Sequence, residues 1–175
     1  RGLLGTTMQL SPVVLFVYNR PAHTRQTVEA LAKNLHAAES ELFVFSDGPA
    51  DPEQRAAVKE VRDYVRTIAG FKAVHLTESE TNKGLAKSII DGVTTVVNQC
   101  GKIIVLEDDI VTSPGFLQYM NDALQTYEQD AEVMHISGYF YPIKTMGRGA
   151  HFLKILSCWG WGTWKRAWQH FEADA

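Results

Sequence analysis

Two cysteines in 175 residues, Cys100 and Cys158, are too few and too far apart for a disulfide framework or a thiolate zinc site. Two reduced thiols follow, which suits a cytoplasmic protein, at most peripheral to the inner membrane face. No apolar run approaches the roughly 20 residues a membrane helix requires, and no secretory leader is visible. Positive charge is not in excess either. Lys and Arg number 17 against 20 Asp and Glu, a formal charge of −3, so no nucleic-acid partner is expected. The six histidines lack His-x-x-x-His spacing. No Gly-x-Gly-x-x-Gly follows the first apolar run, which disfavours classical dinucleotide binding. Internal repeats and low-complexity stretches are absent. What remains is an ordinary globular composition, 45% apolar and 21% charged, enough for one domain with a sizeable core.

The pattern alternates between strand and helix. Arg1 to Thr7 precede Met8 and are set aside as a remnant outside the fold. Pro12 to Tyr18 is a short β-branched run, closed by Asn19-Arg20-Pro21. Val28, Leu31 and Leu35 then recur at helical spacing, with Thr24 as the expected cap. Leu42 to Ser46 reads as a second strand and ends in the turn composition Asp47-Gly48-Pro49. Asp51-Pro52-Glu53 is a helix start, followed by the stripe Val58, Val61, Val65 and Ile68. Ala73 to Leu76 is a third strand. Leu85, Ile89, Val93, Val96 and Val97 mark a third helix after Asn82-Lys83-Gly84. Lys102 onward is a fourth strand. Ser113-Pro114 repeats the cap-plus-proline start for a helix lined by Phe116, Leu117, Met120, Leu124 and Tyr127, and Val133 to Ser137 is a fifth strand. Four alternations predict a three-layer α/β/α fold with a mostly parallel sheet. Ligands in such sheets bind beyond the strand C-terminal ends, where Asn19-Arg20, Asp47 and Glu107-Asp108-Asp109 all fall.

The fourth strand ends in three adjacent acids, Glu107, Asp108 and Asp109. Neighbouring carboxylates repel one another, and packing gives no reason to gather them. A hard divalent cation would relieve that repulsion. Strand alternation aims Glu107 and Asp109 one way and Asp108 the other. The plain alternative is a solvated strand end; convergence with Asp47 and Arg20 argues against it.

Past Gly138 the alternation breaks into irregular structure, Tyr139-Phe140-Tyr141-Pro142 and Gly147-Arg148-Gly149. Ser157 to Trp168 holds all four tryptophans. Trp161, Trp164 and Trp168 are spaced to share one helix face, which favours core packing, whereas Trp159 precedes glycine and is expected to face a cleft.

These residues together resemble the nucleotide-diphospho-sugar glycosyltransferases of the GT-A fold. Leu106 to Ile110, followed by Pro114-Gly115-Phe116-Leu117-Gln118-Tyr119, is similar to the Glu-Asp-Asp motif and helix of proteins like N-acetylglucosaminyltransferase I. The Asn19-Arg20 and Ser46-Asp47 strand ends match too. Leu156 to Trp168 resembles the Gly-Trp segment of bacterial glycosyltransferase family 2 proteins. The likeness runs from Met8 to Phe171.

The resemblance implies an enzyme that moves a sugar from a nucleotide-diphospho-sugar donor to a glycan or other hydroxyl acceptor. It implies a Mn2+ or Mg2+ cofactor met by Asp109, and an inverting outcome. Glu107 and Asp108 would contact ribose, donor sugar or metal-bound water. Asp47 would accept from the base, and Asn19, Arg20 and Lys83 would line the nucleotide side, with Trp159 and Trp161 on the sugar side. Ser88 stands where relatives often carry histidine. Residues 8–138 would form the sugar-nucleotide-binding half, and 139–175 the start of the acceptor side. The base that takes the acceptor proton is unassigned and expected beyond Ala175, with Glu172 and Asp174 candidates by position alone. A non-catalytic sugar-nucleotide or glycan-binding module is the alternative. A sugar-1-phosphate nucleotidyltransferase ranks lower, because Asn19 to His23 lacks a glycine-rich loop.

Overall fold

The computed structural model describes residues 9–141 and 149–173. Residues Arg1–Met8, and Pro142, Gly147, Arg148, Asp174 and Ala175, named above, lie outside the described residues.

Four strands are parallel, as the alternation predicts: β1 (Val13–Val17), β2 (Glu41–Ser46), β3 (Ala73–Glu78) and β4 (Lys102–Glu107). Two more, β5 (Ile136–Ser137) and β6 (Trp161–Trp164), complete one six-stranded sheet in the order β3-β2-β1-β4-β6-β5. Here β6 runs antiparallel to both of its neighbours. The helices are α1 (Pro21–Ala32), α2 (Arg55–Val65), α3 (Leu85–Cys100), α4 (Phe116–Thr126) and α5 (Lys165–Trp168).

All five residues of β1 are buried, because helices cover both sheet faces. Val13, Leu15 and Val17 join Leu31 of α1, Val61 and Val65 of α2, and Leu117, Met120 and Leu124 of α4. Val14 and Phe16 point the other way, onto Val93, Val96 and Val97 of α3. Each such burial stabilises the fold by about 1.5–3 kcal/mol, so the two layers fix the strand ends firmly.

Several local expectations shift. Pro21 itself opens α1, with Arg20 at the cap position; Thr24 lies inside the helix and its hydroxyl donates back to the Arg20 carbonyl at 2.9 Å. Because α1 ends at Ala32, Leu35 falls in the following turn and is exposed. The cap before α4 is Gly115, not Ser113, whose carbonyl instead accepts from the Phe116 N–H at 3.1 Å. Leu85 opens α3 exposed, so the buried stripe begins further along. The fifth strand is only Ile136–Ser137. Side chains occupy the carbonyls ahead of it: Arg166 donates to the Val133 oxygen at 2.8 Å and Thr163 to the Met134 oxygen at 2.9 Å.

The larger correction concerns the tryptophans. Trp161 to Trp164 is a strand, so its side chains alternate and the two indoles face opposite layers. Trp164 packs under α4, its indole N–H donating to the Leu124 carbonyl at 3.0 Å, while Trp161 lies against the α3 side. Gly162 permits this pairing, since a Cβ there would lie 3.1 Å from the Ile103 carbonyl oxygen of β4. Both cysteines are free, Cys158 exposed and Cys100 partly buried. Among the described residues no helix is long and apolar enough to cross a membrane.

Candidate functional site

β4 delivers the acids to the carboxyl edge of the sheet. Glu107 is its last residue; Asp108 and Asp109 form the turn beyond it, closed by the Ile110 N–H donating to the Glu107 carbonyl at 3.2 Å. The strand's alternation ends there. Asp108 and Asp109 do not point apart; both meet Arg20, which the end of β1 holds opposite. One guanidinium nitrogen donates to Asp109 Oδ2 at 3.0 Å, and the other pairs with Asp108 Oδ1. So the repulsion within the triplet is answered in part by a cation of this chain. The Arg20 guanidinium is held still more firmly in its charged form, chiefly through its hydrogen bond to Asp108.

One guanidinium does not serve three carboxylates. Asp108 is buried, its backbone carbonyl pinned by the Thr27 hydroxyl at 2.9 Å, and its Oδ2 has no hydrogen-bond partner. Burial pushes its carboxyl up, against the opposing pull of Arg20. Burial, and then the charges of Asp109 and Asp108, push Glu107 up as well. Asp109 remains exposed and lines a cavity of about 530 Å³.

That cavity is walled by the 109–113 loop, Phe116, Gly138, Tyr139 and Trp159. Glycines make room for it. A Cβ on Gly138 would lie 2.5 Å from the Phe116 ring and 2.7 Å from the Gly160 carbonyl oxygen. The Gly138 N–H donates to that same oxygen at 2.6 Å, and Gly160 adopts φ +70°. The Tyr119 hydroxyl ties α4 to the Ser137 carbonyl at 3.1 Å. Trp159 lines the same cavity as Asp109 and packs edge-on against Tyr139 at 4.9 Å. Trp161 does not join the wall; it stacks on His135 at 5.4 Å.

The β2 corner is built differently. Asp47 is buried and its carboxylate is occupied by backbone: Gly48 N–H at 2.9 Å, Lys83 N–H at 2.9 Å and Gly84 N–H at 3.0 Å. These bonds bring the loop before α3 against Gly48, where a Cβ would lie 2.5 Å from the Thr81 carbonyl carbon. The Lys83 ammonium sits 3.4 Å from Asp91 on α3. Asn19 donates to Gln54 at 3.3 Å, and Gln54 also takes the Tyr18 hydroxyl. Ser88 lies on α3, and Glu172 is exposed beyond α5.

Sequence reasoning missed Arg62. From α2 it donates to the carbonyls of Asp47 at 3.1 Å and Ser79 at 2.6 Å, clamping the ends of β2 and β3 together. Backbone carbonyls carry no sequence signature, so no motif announced it. The glycines at 138 and 160 were legible only as the flanks of an aromatic stretch.

The profile described as "Glycosyl transferase family 2" matches residues 13–173. No curated protein matches the chain. Among solved structures, the mannosyltransferase PcManGT from Pyrobaculum calidifontis, in complex with GDP-Man and Mn2+, is similar with a TM-score of 0.50 at 15% identity, covering 75% of this chain and 37% of that one. S. aureus TarS has a TM-score of 0.49 at 16% identity, covering 67% of this chain and 20% of that one. The chain therefore spans well under half the length of either. At such identity the likeness to PcManGT is one of fold, and that fold is GT-A.

Proposed function

This chain belongs to glycosyl transferase family 2, and from that premise we propose that its acidic corner holds the diphosphate of a nucleotide-diphospho-sugar for transfer of the sugar to an acceptor hydroxyl. The observation that carries the reading is one cavity lined by both Asp109 and Trp159. An anionic group can be gripped at the first through a cation, and an indole face suits the apolar side of a sugar ring at the second.

The residues fit a divalent ion, Mn2+ or Mg2+. Arg20 pairs with only two of the three carboxylates, and Asp109 is exposed to the cavity. Among the described residues no cluster of three His, Cys, Asp or Glu side chains could encage a metal. That suits an ion held by one carboxylate and completed by phosphate oxygens, the usual arrangement for magnesium. When bound, the ion would neutralise charge developing on the departing diphosphate. Asp109 is its ligand in this proposal. Arg20 keeps Asp108 and Asp109 in position, and its planar fork also suits phosphate oxygens. Asp108, buried with its Oδ2 shut off from solvent, would act through its pairing with Arg20 rather than by touching the sugar. Trp159 orients the sugar and excludes water from one side.

Asp47 takes a narrower part than direct base recognition. With both carboxylate oxygens engaged by N–H groups, it shapes the loop at Lys83 and Gly84, and backbone of that loop would meet the base. Inverting transfer further requires a carboxylate to take the acceptor proton as the hydroxyl attacks.

Thermal shifts with uridine, guanosine, cytidine and thymidine diphosphates, each with and without Mn2+, test the proposal. One nucleotide should stabilise the chain only with metal, and Asp109→Ala should abolish that shift. A metal-independent shift, or one that survives Asp109→Ala, defeats it. Sugar transfer to an acceptor then separates an enzyme from a binding module.

A further inference from the structure

The 109–113 loop, which lines the cavity, is irregular, and the helix it enters has no side-chain cap, because Gly115 stands there. N–H groups in the first turn of such a helix need partners from elsewhere. For Leu117 the partner comes from the far end of α1. Asn34, just past that helix and 6% exposed, accepts from the Leu117 N–H through Oδ1 at 3.0 Å. Its Nδ2 donates to the Ala30 carbonyl at 3.1 Å and to the Thr112 hydroxyl at 3.0 Å. The Leu35 N–H donates to the Pro114 carbonyl at 3.1 Å. Within α1, the fully buried Thr27 hydroxyl donates to the Asp108 carbonyl. One helix and the turn behind it thus fasten the loop at its start, middle and end. The cap residue of that helix, Arg20, pairs with Asp108 and Asp109.

We propose that Asn34, seconded by Thr27, is a positioning residue for the acidic corner, setting the loop so that Asp109 meets a divalent ion. Neither residue lines the cavity, so both act through the loop they hold. An amide is what position 34 requires. It faces a fixed donor, the Leu117 N–H, and a fixed acceptor, the Ala30 carbonyl, and an amide answers both. A carboxylate would set an oxygen against the Ala30 carbonyl, and an aliphatic chain would leave the buried Leu117 N–H unpaired. Placement matters here because the proposed ion has a single carboxylate ligand, and productive geometry tolerates only about 0.5 Å of misplacement. The role at the metal rests on the glycosyltransferase reading, whereas the anchoring of the loop does not.

Amide hydrogen exchange and Mn2+ titration followed by electron paramagnetic resonance, both on the whole chain without nucleotide, test this. Asn34→Leu should speed exchange at Leu117 about tenfold and loosen the loop amides, while Lys83 and Gly84 at the β2 corner keep the parent rate. The same variant should weaken Mn2+ binding about tenfold, the usual cost of losing a residue that orients a metal ligand. Val61→Ala, a core variant on α2, lowers stability without touching the loop and should bind Mn2+ as the parent does. Thr27→Val is close in shape and decides the matter if Asn34→Leu does not fold. It should loosen the loop amides and weaken Mn2+ binding, and Thr27→Ser should restore both. Unchanged exchange at Leu117 in Asn34→Leu, or equal loosening at Lys83 and Gly84, overturns the proposal. So does Mn2+ binding that survives both variants, or that falls as far in Val61→Ala. A parent that binds no Mn2+ defeats the metal reading of the site instead, and exchange still judges the anchoring.

Discussion

Asp47 and Asp109 stand just past the ends of β2 and β4, the two strands that flank β1, yet they are held in opposite ways. Asp47 is buried and spends both carboxylate oxygens on three backbone N–H groups. Asp109 is exposed, meets one half-exposed arginine, and faces a cavity. The residue type and the sheet edge are shared; the unspent hydrogen-bonding capacity is not. A carboxylate whose acceptor sites are filled shapes a loop, and one whose sites are open is available to a ligand.

The largest expected effect lies at the filled corner. Asp47→Ala strands three N–H donors beside a close backbone approach and should cost about 3 kcal/mol of stability in a urea melt. Arg62→Ala should follow at about 2 kcal/mol, since the carbonyls of Asp47 and Ser79 lose their shared donor. If either costs nothing, the contrast between the corners fails.

At the open corner the effects appear in ligand binding. Arg20→Ala removes the competing positive charge, and Mn2+ bound without nucleotide should be held on the order of tenfold more tightly, read by electron paramagnetic resonance titration. Weaker binding would mean that Arg20 organises the acids more than it competes. Away from both corners, burial holds the His135 imidazole below its ordinary 6.5. The unfolded chain then binds the extra proton, so stability is full above about pH 6.5 and falls as pH drops through the folded value. The slope is at most about 1.4 kcal/mol per pH unit, and His135→Gln should flatten it. The smallest effect belongs to Asp109→Ala, whose melting free energy should stay within about 0.5 kcal/mol of the parent.

The strands flanking β1 could be read from sequence because each is a short β-branched run with a turn behind it. The start of α2 could be read because Asp51, as expected, caps the turn at Pro52–Gln54, accepting from the Gln54 N–H at 3.0 Å. The acidic corner was legible as an unexplained concentration of like charge. Its partner Arg20 was legible only as a neighbour at the same edge, because the pairing spans 88 residues. Trp161 and Trp164 misled because a spacing of three fits a helix as well as a strand. Gly162 lets β6 lie against β4, and only that tertiary pairing decides the matter. Arg166 escaped notice for the reason Arg62 did: its targets, the carbonyls of Tyr127, Glu128 and Val133, belong to backbone.

The pairing of β6 with β4, Val105 opposite Trp161 and Lys102 opposite Trp164, has a further consequence. Any version shortened ahead of residue 161 would leave the Lys102–Val105 edge of β4 as a bare border, its outward-facing backbone groups unpaired. Such a border recruits strands from other molecules, so the trimmed protein should precipitate rather than persist as a smaller soluble unit.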